Sequence, residues 1–132
     1  MRLILTALVF LLGMFDLFMG LSFLLNPAET GAGLGLAAPD TQGLSTMRAD
    51  FTAFFGVIAV CMMIGAWRRN ADLLLVPAAL MGTAVAVRAL SLVWDGSYSG
   101  WQVPMLVEAL HVALLIAAWR VLPHHKIEEL TR

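Results

Sequence analysis

The stretch AVAVRALSLVWDG, Ala84 to Gly96, sets one arginine inside a run that, with its upstream flank, is long and apolar enough to cross a bilayer. A charged side chain facing lipid costs at least about 2.5 kcal/mol on insertion scales, so Arg88 must be turned toward a polar interior. That requirement makes the span one member of a helix bundle and directs the search for its partners.

The composition supplies the other members. The chain has 132 residues, 61% hydrophobic and 13% charged, against roughly 25% charged in ordinary soluble domains. Runs of about 20 apolar residues read as bilayer-spanning helices, and four are present: residues 3–25, 48–67, 72–94 and 104–122. They fill one domain over 1–132, so the expected fold is all-α, a four-transmembrane-helix bundle in an integral membrane protein. The first run could be mistaken for a signal peptide, but it is long, carries Asp16 midway and lacks a small-residue cleavage pattern, so a retained helix is expected. With one cysteine, Cys61, an internal disulfide and a CxxC redox pair are excluded. No basic block interleaved with aromatics suggests nucleic acid. GAGLG at Gly31 to Gly35 lacks the βαβ setting of a phosphate loop and reads as a flexible loop.

Orientation follows from the short-loop Lys and Arg residues, which stay on the cytoplasmic side. Arg2, Arg68, Arg69, Lys126 and Arg132 share one side after four crossings, so both termini are expected in the cytoplasm. The opposite loops, Asn26 to Met47 and Asp95 to Val103, hold Glu29, Asp40 and Asp95 and no lysine or arginine; the longer one is expected to form at most a short helical turn. A rise of about 1.5 Å per residue then places Arg88 about 9 Å below the outer surface, Glu108 and His111 about 6 and 10 Å below it, and Asp16 about 13 Å. Asp50 falls in the first turn of helix two, where an acid complements the helix dipole, and Arg48 opens that helix. Thus the strongly intramembrane charges gather in the outer half, although four helices supply them.

Face geometry narrows the pairing. Glu108 and His111 are i, i+3 on one face, and Arg88 and Asp95 are i, i+7 on another. Gly13, Asp16 and Gly20 share a third face, whose small residues admit a close neighbour. Glu108 is the first candidate partner of Arg88 and Asp95 the second. A structural ion pair is the plain reading of Arg88 and Glu108; the competing one is a ligand-binding set of Arg88, Glu108, His111, Asp16, Arg48, Asp50 and Asp95. Histidine exchanges protons near neutrality, which would suit a relay at His111. Glu108 and His111 could supply two metal ligands, yet no H-E-x-x-H pattern or second intramembrane histidine completes a site, so neither a metal nor a cofactor is expected.

These residues also carry a resemblance. Helix one ending in NP, Arg48 opening helix two, VRALSLVWDG and LVEAL together resemble a family of small bacterial four-helix membrane proteins of unknown function, grouped with DoxX-like and DoxD-like proteins. The likeness spans nearly the whole chain and rests on Arg48, Arg88, Asp95, Gly96 and Glu108, while RADFTAFFG departs from the family's glycine-richer start to helix two. It implies a multi-pass protein of the bacterial inner membrane. The function expected from the residues is an outer-half polar pocket binding a small amphipathic ligand such as a quinone or lipid. A proton-transfer membrane enzyme and a small proton-coupled exporter are the alternatives. Its partners are the bilayer, that ligand and, left open, further copies of the chain as a homo-oligomer; nucleic acid is not among them.

Overall fold

Helix α1, Arg2–Leu25, stops where Asn26 bends the chain and Pro27 cannot extend the helix. Proline at the first position instead opens α2, Pro27–Ala32. After a turn with Gly35 in the left-handed region (φ +77°), α3 runs from Thr41 to Trp67. The chain reverses through Arg68 to Asn70 and a 3-10 turn, Ala71–Leu74, into α4, Leu75–Trp94, and then through left-handed Gly96 and Gly100 into α5, Gln102–Val121. The computed structural model describes residues 1–124 and contains no strand among them. His125, Lys126 and Arg132 lie outside the described residues.

Four segments are long and apolar enough to span a membrane: Arg2–Leu25, Thr41–Trp67, Ala71–Trp94 and Gln102–Val121. Helix two of the bundle begins at Thr41, not at Arg48. The cause is capping: the Asp40 carboxylate accepts the Gly43 N–H at 2.8 Å, satisfying one of the donors that every helix start leaves open. A helix of 27 residues is about 40 Å long, longer than the hydrocarbon slab of roughly 30 Å, so its first polar turns project beyond the apolar region. Asp50 therefore sits well inside α3, and the acid complementing the helix start is Asp40. The loop expected between Asn26 and Met47 likewise holds more helix than one turn, namely α2 and the first turns of α3.

The spans form two antiparallel hairpins, α1 with α3 and α4 with α5. The first is the closer. A Cβ added to Gly13 would stand 3.0 Å from Met62 Cβ, and one added to Gly20 would meet the Gly56 backbone nitrogen at 3.4 Å, so the small-residue face of α1 is the seam with α3. Between the hairpins, the tightly packed core (Val9, Ile58, Met62, Ala66, Leu74, Leu115, Ala118, Leu122) lies toward the end where α1 begins and α5 stops. There the Ala71 N–H donates to the Pro123 carbonyl at 2.9 Å. Toward the other end the hairpins diverge around a cleft.

The outer surface is the inverse of a soluble protein's. Only 22 to 28% of each spanning window is buried, and large apolar side chains such as Leu11, Phe18, Val60, Val87, Leu106 and Leu110 are exposed on all four long helices. Water would drive such faces together, whereas a bilayer solvates them, and helices satisfy their backbone groups internally, as the hydrocarbon region requires.

Candidate functional site

The cleft has a volume of about 780 Å³ and is lined from all four long helices and from both loops at that end. One wall is aromatic: Phe15 from α1 and Phe51, Phe54 and Phe55 from α3. Buried Phe23 braces this wall from behind, stacked on Phe51 at 4.6 Å between ring centroids and on Phe55 at 5.9 Å. Residues Gly33 to Leu36 of the first loop lie along the mouth. Most of the polar groups of the lining belong to two couples centred on α5.

In the outer couple, the Arg88 guanidinium meets Glu108 side-on. Nη2 donates to Oε1 at 2.8 Å and Nε lies 3.2 and 3.3 Å from the two carboxylate oxygens. Nη1 donates to the Tyr98 hydroxyl at 3.2 Å. This fork matches a carboxylate in a way a lysine ammonium cannot. The side chains are 34% and 10% exposed, so Glu108 is held in the interior while Arg88 keeps one edge toward the cleft. The partner of Arg88 is thus Glu108, with a loop tyrosine as its second contact. Asp95 caps the end of α4 and is exposed.

The inner couple joins the first span to the last. His111 Nε2 lies 3.1 Å from Asp16 Oδ2, and both side chains are buried, at 1% and 0% exposure. Here the protons can be counted. His111 Nδ1 lies 2.8 Å from the Val107 carbonyl, an oxygen that only accepts, so Nδ1 carries a proton. The line from Nε2 to Oδ2 then needs one proton of its own, since a bare ring lone pair facing a carboxylate would repel it. Whether that proton is drawn on the ring or on the acid, the couple is neutral as a unit, the state a low-dielectric interior favours. The second carboxyl oxygen, Asp16 Oδ1, is fully buried and has no hydrogen-bond partner among the described residues, although Asp16 lines the cleft.

The remaining candidates are spread around this centre. Asp50 lines the cleft from an exposed position. Arg48 is turned to the end of α1, where its Nε donates to the Leu24 carbonyl at 3.0 Å and supplies a cation and a donor to an otherwise open helix C-terminus. The structure therefore gathers Arg88, Glu108, His111, Asp16 and Asp50 around one cleft and leaves Arg48 and Asp95 away from its lining. Sequence reasoning missed Tyr98 and the phenylalanine wall. The i, i+3, i+4 spacing of Phe51, Phe54 and Phe55 was a usable signal, because it puts three rings on one helix face. Among the described residues no group of three or more His, Cys, Asp or Glu side chains is placed to hold a metal ion.

Fold and site together define a multi-pass, four-helix membrane protein with a polar and aromatic cleft between its hairpins. No protein-family model, curated protein or solved structure matches the chain.

Proposed function

We propose that the cleft binds a small amphipathic molecule of the membrane, such as a quinone or a lipid, with its polar head between the Arg88–Glu108 and Asp16–His111 couples and its apolar part toward the phenylalanine wall and lipid. The observation that carries this is the mixed lining: hydrogen-bonding side chains and four phenylalanine rings line one volume of about 780 Å³, within the range of small-molecule sites. A bare structural ion pair needs no such space. Gently purified protein examined by native mass spectrometry is expected to carry a copurifying small molecule, and Arg88→Ala to lose it. Protein that arrives empty in several mild detergents, with no difference on Arg88→Ala, would refute the reading.

A second reading, a membrane enzyme that transfers protons, is favoured by one observation, the buried 3.1 Å contact between His111 Nε2 and Asp16 Oδ2, whose line needs one proton. It requires the cleft ligand to be the proton's source or destination, so the binding experiment comes first for both readings.

We propose that the protein is a DoxX-like protein of the bacterial inner membrane with both termini cytoplasmic. What supports the orientation, and the orientation alone, is the gathering of Arg2, Arg68 and Arg69 at the end of the bundle where α1 begins and α3 ends. A reporter fused after Arg132 is expected to be active in the cytoplasmic form alone; periplasmic activity would reverse the orientation.

A further inference from the structure

The proton count at Asp16 restricts what the cleft can hold. Resting on the ligand-binding reading above, we infer that the ligand presents a hydrogen-bond donor, a hydroxyl on a flat ring of the phenol class, to Asp16 Oδ1, so that acceptor-only heads are disfavoured. The shared proton lies on the line between Oδ2 and His111 Nε2. If it is drawn on Nε2, Asp16 is a carboxylate and Oδ1 accepts; if on Oδ2, Oδ1 is a carbonyl oxygen and again accepts. Neither placement lets Oδ1 donate. It is buried without a partner among the described residues, and a buried acceptor left unmet is costly; Asp16 lines the cleft but is 0% exposed, so a donor in the cleft meets Oδ1 through a small shift of the lining. Its complement is an O–H or N–H from the ligand.

Two features choose the neutral hydroxyl over an ammonium. The inner couple carries no net charge to attract a cation, and the Arg88 guanidinium, kept partly open to the cleft, repels one. The same guanidinium has three of its five N–H groups engaged by Glu108 and Tyr98, leaving the head's own oxygens a donor to meet. The ring shape follows from Phe51, Phe54 and Phe55, whose faces and edges favour stacked or tilted aromatic partners.

The test uses the full-length protein in lipid nanodiscs and two redox-inert probes, para-octylphenol and its near-isosteric analogue para-octylfluorobenzene, which has no donor. Occupancy is read by native mass spectrometry. Wild type is expected to bind the phenol at least about tenfold more tightly than the fluoro compound. Asp16→Asn is expected to keep that preference, because its amide N–H can donate to Nε2 while its carbonyl still accepts at the Oδ1 position. Asp16→Leu should abolish the preference, and its residual binding of the fluoro compound will show that the cleft is intact. Equal binding of both probes by wild type would overturn the donor requirement while leaving the cleft a binding site. Failure of both probes, together with empty purified protein, would overturn the binding reading itself. A preference that survives Asp16→Leu would assign the donor contact to another residue and also defeat the inference.

Discussion

Replacing Glu108 with leucine is expected to cost about 3 kcal/mol of stability, more than replacing Arg88, although each change breaks the same bond. The asymmetry comes from what is left behind. Without Glu108, Arg88 keeps a charge that it cannot shed and loses the carboxylate that compensates it; the value sits at the low end for broken buried pairs because Arg88 is 34% exposed. Without Arg88, Glu108 is left at 10% exposure, but a carboxyl can take up a proton and become neutral, so the loss is about 1–3 kcal/mol. Chemical denaturation in detergent, with the double leucine variant closing the cycle, reads both losses and their coupling. Strictly additive single changes would show that the two side chains are energetically independent despite their 2.8 Å contact.

That this pair could be anticipated, and the inner one could not, follows from how depth is encoded. Position along a span converts directly to depth, so Arg88 and Glu108, on helices joined by a short loop, were bound to meet if their faces turned inward. Asp16 and His111 are 95 residues apart. Their depths were nearly matched, but nothing in the order of the helices says that α1 rests against α5 as well as α3. The spans themselves were legible because hydropathy dominates the cost of insertion. The start of α3 was not, because TQGLSTM is polar and its helix is nucleated by one capping carboxylate at Asp40 and not by apolar spacing. Gly13 and Gly20 marked a close helix seam, while the identity of the partner, α3, required the fold. Tyr98 lay in a loop with no periodicity to fix its direction, and only the reach of Arg88 toward its hydroxyl draws it into the site.

The inner pair is sealed, at 0 and 1% exposure. His111→Leu takes the partner of Oδ2 from Asp16, a carboxyl that can take up a proton as a stranded Glu108 can, and we expect a loss of about 1–3 kcal/mol. Asp16→Leu leaves a neutral ring whose Nδ1 proton remains on the Val107 carbonyl and whose Nε2 alone is unmet, a loss of about 1–3 kcal/mol. Asp16→Asn should cost within about 1 kcal/mol, since an amide N–H takes the place of the shared proton on the same line. The ordering tests the proton count more sharply than any single value. It is accompanied by a spectroscopic signature: in Asp16→Asn, nitrogen-15 NMR of His111 should show a ring protonated at Nδ1 and bare at Nε2. Were Asn as damaging as Leu, the line would have to be an ion pair that an amide cannot imitate. The couple would then be a charged strut between α1 and α5. If Asn is tolerated, its one titratable proton is dispensable for folding, which leaves that proton available to whatever the cleft binds.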